Sequence, residues 1–260
     1  MAASTPTPFY VDVLKRLIRA NVPFVVGGGF AYALYSGVER VKKDLDIFVR
    51  EADAPGALAR LSEAGYDTEL TFPHWLGKIR CGGHMIDLIF SSGNGIARVD
   101  DLWFQHSVAA PVLGVSAQLC PPEEMIWSKA FIQERERFDG ADVLHLLGSL
   151  GPTLDWSRLL ERFGQHWRVL FASIVLFGYV YPSEIDCIPA WVSESLSARF
   201  SAERADPTTS VCRGTLLSRA QYRWDIEQLG YTDARIQPVG PLTRDDLAIW
   251  DAAIEDVPQP

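Results

Sequence analysis

Two short stretches decide the fold: Val25-Val26-Gly27-Gly28-Gly29-Phe30-Ala31 and, further on, Arg40-Val41-Lys42-Lys43-Asp44-Leu45-Asp46-Ile47-Phe48-Val49. The first reads as a short apolar strand over Pro23–Val26. Glycines stop it, and a helix follows over Phe30–Tyr35. The second reads as a basic segment leading into another apolar strand, Leu45–Val49. Glycines between a strand and a helix let a ligand come close to the main chain. The helix N-terminus then offers unpaired N–H groups and a partial positive charge to an anion. A tight strand-to-helix turn needs glycine as well, so this signal alone leaves both readings open. Asp44 and Asp46 are two residues apart at the head of a strand and therefore share a face. Neighbouring carboxylates repel, and keeping both ionised calls for a cation. Solvated acids at the start of a strand are the alternative.

A third carboxylate lies in Met85-Ile86-Asp87-Leu88-Ile89-Phe90. An aspartate inside an apolar strand is costly unless it is paired or metal-bound. Lys78 and Arg80 are the nearby cations that could pair it. Between these motifs, Val13, Leu14, Leu17 and Ile18 recur at helical spacing after Thr7-Pro8, which predicts an opening helix to about Ala20. Ala54–Ala64 predicts a helix closed by Gly65. Thr68–Phe72 and Trp75–Arg80 predict strands, and Gly82-Gly83 a hairpin turn into the strand of Asp87. The order of helix, strand, helix, strand, helix and then strands is an α/β arrangement around a mixed sheet. Val108–Val115 predicts one more strand.

From Pro122 onward the pattern turns helical. Helices are expected over Glu123–Arg137, Ala141–Leu150, Trp156–Tyr181 with a break near Gly164, Ala190–Phe200, Thr215–Leu229 and Arg244–Ile254. Residues 201–210 read as a loop. The expected division is an α/β domain over residues 1–120 and a helical domain over 121–260. Val169–Tyr181 is the most apolar run. It is shorter than the roughly 20 residues a membrane helix needs, so it is expected to be a buried core helix, with no membrane partner. Trp75, beside His74 and before Lys78, is a further candidate to line a pocket.

The totals restrict the function classes. The chain has 260 residues, 48% of them hydrophobic, enough for a sizeable core. A formal net charge of −9 argues against broad nucleic-acid binding, which rests on neutralising phosphates. The four cysteines, Cys81, Cys120, Cys187 and Cys212, show no metal-binding spacing and suit a reducing cytoplasm. The N-terminal residues lack the pattern of a secretory signal.

A glycine pair and helix, then Asp-x-Asp on a strand, then a third aspartate on a later strand, is more specific than any of its parts. Gly28-Gly29, Asp44-Leu45-Asp46 and Asp87 together resemble the DNA polymerase β-type nucleotidyltransferase superfamily. Within it, the chain is most similar to the minimal bacterial nucleotidyltransferases. Arg40 and Lys43-Asp44-Leu45-Asp46 fit their characteristic run, while Lys42 stands where that run has a hydroxyl residue. Lys129 on its helix, with Arg137-Phe138-Asp139-Gly140-Ala141-Asp142 after it, is similar to a second stretch in those families.

The resemblance implies a nucleotidyltransferase core with a mixed sheet flanked by helices, followed by a mostly helical half. It implies transfer of a nucleoside monophosphate from an NTP to an acceptor hydroxyl, on a small molecule, a protein or a tRNA. Two Mg²⁺ ions would be held by Asp44, Asp46 and Asp87, with Asp87 also able to take the hydroxyl proton. Gly28, Gly29, Arg40, Lys43 and Lys129 would meet the nucleotide. A non-catalytic module of the same fold and the toxin half of a toxin–antitoxin pair are the rival readings.

Overall fold

The computed structural model describes residues 7–39, 42, 44–204 and 209–255. The chain divides into two compact units, Met1–Pro121 with Asp245–Ala253, and Pro122–Arg244 with Ile254–Pro260.

The first unit is built on a seven-stranded mixed sheet. Helix α1 (Thr7–Arg19) buries Phe9, Tyr10, Val13, Leu14 and Leu17, one stripe at helical spacing. It is closed at its C-terminus by the Val22 N–H on the Leu17 carbonyl, with Asn21 at φ 52°. Strand β1 (Val25–Val26) is buried on both faces and runs into α2 (Gly28–Ser36), which ends at Gly37 in the left-handed region. Then come β2 (Leu45–Phe48) and α3 (Ala54–Glu63). A meander follows: β3 (Asp67–Phe72), β4 (Leu76–Cys81) and β5 (His84–Ile89). Gly82 and Gly83, at φ 55° and 82°, make the tight β4–β5 turn that only a pair tolerant of positive φ can form. Helix α4 (Asp101–Gln105) starts where the Asp100 carboxylate accepts from the Leu102 N–H.

Residues 108–119 hold two strands, β6 (Val108–Val112) and β7 (Val115–Leu119), where the sequence predicts one over 108–115. The turn between them is Leu113-Gly114, at φ 51° and 79°. Strand order is β3-β4-β5-β2-β1-β7-β6. The β2–β5 and β1–β7 pairs are parallel and the others antiparallel. Leu45, Ile47, Ile86, Leu88 and Ile79 form one fully buried face of the centre of the sheet. Polar side chains at the alternate positions are left on the other face.

The second unit is mostly helical: α5 (Pro122–Ala130), α6 (Gly140–Leu150), α7 (Trp156–Phe163), α8 (Trp167–Val180) and α9 (Ala190–Ala202). Strands β8 (Val211–Cys212) and β9 (Thr232–Asp233) pair in parallel on either side of α10 (Arg223–Glu227). Helix α11 (Arg244–Glu255) follows in sequence, and its residues Asp245–Ala253 belong to the first unit. The break expected near Gly164 is present, with that glycine at φ 46°.

Three expectations are corrected. The helix predicted over Glu123–Arg137 stops at Ala130, because the charged run Glu134–Arg137 has no apolar stripe to bury. The main chain there bonds elsewhere, with Gln133 N–H on the Leu217 carbonyl and Asp139 N–H on the Ile132 carbonyl. Most of Thr215–Leu229 is not helical either. Side chains take the bonds that a helix would use: Thr215 Oγ1 donates to Asp233 Oδ1 at 2.8 Å, and Ser218 Oγ to Glu134 Oε2 at 2.5 Å. Helix α8 is not wholly buried. Trp167, Leu170, Ile174 and Phe177 face the core, while Val175 and Tyr179 are exposed. Among the described residues no helix is long and apolar enough to cross a membrane.

Glu124, fully buried on α5, ties the helical unit together. It accepts from Arg158 Nη1 at 2.5 and 2.7 Å and from Arg162 Nε at 2.9 Å, while Arg158 also meets Glu123. Removing one partner of such a network leaves buried charge uncompensated. Glu124→Ala is therefore expected to cost about 3–5 kcal/mol. Urea unfolding should show this as a lower midpoint at an unchanged slope. A cost below about 1 kcal/mol would mean that the network is dispensable.

Candidate active site

Strand register sets the site. Asp46 on β2 lies opposite Asp87 on β5, and Asp87 lies opposite Lys78 on β4. Side chains paired in this way share a face, so Asp46, Asp87 and Lys78 form one row across three strands. Asp44 precedes β2 by one residue and is half-buried. The Lys78 Nζ donates to Asp87 Oδ1 at 3.0 Å and to Met85 Sδ at 3.2 Å. Of the two cations that the sequence offers to Asp87, Lys78 is the one used. Arg80 turns instead to Glu69, at 2.7 Å.

The glycines are explained by the side chains of β2. Gly28 opens α2 at φ +52°, and a Cβ there would fall inside the Asp46 carboxylate. A Cβ on Gly27 would run into the Phe48 ring. Gly27 N–H also donates to the Asp46 carbonyl at 3.0 Å, which fixes the turn against the strand. The start of α2 and the Asp46 carboxylate are thus held in contact by main-chain and side-chain packing together. Gly29 is different. It lies in the helix with ordinary φ, and its added Cβ would meet Lys42 Cγ at 3.4 Å, an ordinary contact. Lys42 itself pairs with Glu39 at 2.9 Å and sits over the Phe30 ring.

Tyr10 is a member of the site that the sequence gives no means to find. It falls on the apolar stripe of α1 and reads as core. Burial raises the pKa of its phenol, and the negative charges of Asp44 and Asp46 raise it further. Helix α1 therefore brings a neutral phenol into the field of both carboxylates. Trp75 proves to be a packing residue. It stacks with Phe72 and with Trp250 of α11, at ring-centroid distances of 5.6 and 5.1 Å.

Arg40 and Lys43 lie outside the described residues. Lys129 belongs to the helical unit, where its Nζ is 2.8 Å from both Asp139 and Asp142. Burial opposes the charge on Lys129, but the two carboxylates outweigh it and its pKa is raised. Burial likewise opposes ionisation of Asp139. Hydrogen bonds from Arg137 and Lys129 and their positive charges override it, and that pKa is lowered.

Residues 10–90 match the family model of the aminoglycoside-2''-adenylyltransferases. That span holds most of α1, the glycine turn, Asp44 with β2, and the row through Asp87. That similarity covers less than a third of the chain. No protein of curated function matches its sequence. Among solved structures it is similar to the lincosamide antibiotic adenylyltransferase LnuA with lincomycin bound. The identity there is 14% and the TM-score 0.39, over 55% of this chain and 96% of that one. It is similar to ANT(2'')-Ia in complex with adenylyl-2''-tobramycin, at 15% identity and a TM-score of 0.40, over 76% and 99%. A nucleotidyltransferase-like protein from Paracoccidioides brasiliensis aligns at 19% identity and a TM-score of 0.40, over 66% and 93%. Overlap this loose transfers no ligand and no residue role to this chain.

The two glycines separate by experiment. Gly28→Ala combines a strained positive φ with a collision against Asp46, and should destabilise the protein by more than 1 kcal/mol. Gly29→Ala sits in a helix with room for its methyl, and should be neutral or stabilising by up to about 1 kcal/mol. Thermal unfolding of both variants checks this. Equal losses would mean that the close approach of Asp46 does not govern this turn.

Proposed function

We propose that the protein transfers a nucleoside monophosphate from an NTP to a hydroxyl of a small molecule. The observation that carries this reading is the Asp46 carboxylate seated against the first residue of α2, in register with Asp87. That arrangement supports reading the start of α2 as an anion site, Asp44 and Asp46 as hard oxygen donors and Asp87 on the neighbouring strand as the base.

Asp44 and Asp46 have the donor chemistry for Mg²⁺, which is typically held by one or two carboxylates together with substrate phosphates. When bound, the ion neutralises triphosphate charge and stabilises the departing pyrophosphate. The N–H groups at Gly28 and Gly29 are proposed to cradle phosphate oxygens at the start of α2. Arg40 and Lys43 are proposed phosphate contacts on the segment before β2. Lys129, expected from the sequence as a third, shares its ammonium between Asp139 and Asp142.

Asp87 is the proposed base. The acceptor oxygen attacks the α-phosphorus, its proton passes to Asp87, and the bond from that phosphorus to pyrophosphate breaks. Positioning and charge stabilisation supply most of the rate in such transfers. The matched family is named for adenylyl transfer to aminoglycosides. That name supports ATP as the donor and a small molecule as the acceptor class. The acidic balance of the chain, −9, agrees with an acceptor other than a long nucleic acid.

Thermal unfolding with each of the four NTPs, with and without Mg²⁺, tests the reading. A ligand at about 100 times its Kd adds about 2.7 kcal/mol, or about 5–10 °C for a chain of this size. We expect ATP to give such a shift only with Mg²⁺, and Asp44→Asn/Asp46→Asn to lose it. A shift that survives in that double variant would remove the metal assignment. No shift with any NTP would sink the function.

A further inference from the structure

The row that carries the candidate base also carries a cation. Lys78 and Asp87 are held together at 3.0 Å, and their side chains are only 18% and 17% exposed. An ion pair so covered is screened far less than one at the surface. Asp46 is the next member of the same row. The superfamily resemblance implies two ions: one for the triphosphate, at Asp44 and Asp46, and one for the acceptor, which also needs Asp87. The first fits the residues present. The second would compete with the Lys78 ammonium for the same carboxylate and face its charge at close range. Among the described residues, no group of three or more His, Cys, Asp or Glu side chains is arranged to hold a metal ion.

We infer that the Lys78 ammonium takes the place of the acceptor-side ion, so that the site holds one divalent cation instead of two. The inference rests on the nucleotidyl-transfer reading and changes its ion count. Lys78 supplies what the missing ion would otherwise supply. It balances the charge of Asp87, which lies beside Asp46, and it fixes the carboxylate in one orientation. An ammonium also has three N–H donors. With one on Asp87 and one on Met85 Sδ, a third remains for an acceptor oxygen. Lys78 thus positions Asp87 and offers its third N–H to the acceptor.

The test counts ions directly. Mn²⁺ is titrated into the full chain saturated with a non-hydrolysable ATP analogue, and free Mn²⁺ is read by electron paramagnetic resonance. One Mn²⁺ per chain is expected in the wild type and in Lys78→Arg. Lys78→Gln should bind two, and Lys78→Gln/Asp87→Asn should return to one. Two ions in the wild type would overturn the inference, as would one ion in Lys78→Gln. The reading beneath it fails separately, if Asp44→Asn/Asp46→Asn binds Mn²⁺ as the wild type does. The wild-type count needs no variant to fold, so the inference stays open to refutation even if Lys78→Gln proves unstable.

Discussion

Two carboxylates on adjacent parallel strands at the same rung are an electrostatic liability, and the organisation of the first unit answers it. Asp46 and Asp87 cannot slip past one another. A one-residue shift of β2 against β5 would bring both out of the row and carry Leu45 and Ile47 out of the core. Apolar burial on one face therefore enforces like-charge proximity on the other. The cost is met by the elements around the row. Lys78 sits at the next rung, and the start of α2, with its positive end, lies against Asp46. A sheet that held these acids without such partners would be destabilised by them.

The same constraint accounts for the glycines. Gly27 and Gly28 make way for successive outward side chains of β2, the Phe48 ring and the Asp46 carboxylate. The turn is tight because the strand behind it is already occupied. The tight start of the helix and the placement of the carboxylate are then one feature of packing. Phe48 in turn stacks on Trp103 at a centroid distance of 4.9 Å, so the floor of this turn continues into the aromatic core.

The helical unit follows other rules. Its centre holds Glu123, Glu124, Lys129, Asp139 and Asp142, acids and bases that pair inside the unit. Such residues carry no apolar periodicity, so a hydrophobic pattern predicts helix where they occur and overshoots its ends. That is why the helix predicted to Arg137 stops at Ala130 and why Thr215–Leu229 is mostly turn. Lys129 belongs to the same kind of network, its ammonium held by two aspartates from the next loop and helix.

What the sequence determined was the part encoded in short-range chemistry. The Gly28-Gly29 turn, the two-residue spacing of Asp44 and Asp46, the period-two strands and the Gly82-Gly83 hairpin are local features, and they suffice for an α/β core with its acids on one face. Only the tertiary structure decided which strands lie side by side. Parallel pairing of β2 with β5 joins residues about 40 positions apart, and no local pattern records the register that sets Asp46 beside Asp87. The choice of Lys78 over Arg80, and the arrival of Tyr10 from α1, depend on that register too. Tyr10 looks ordinary in sequence, as a core tyrosine, and Lys78 is one of two cations within reach of Asp87. They become part of the site because the sheet and α1 bring their side chains to the aspartates.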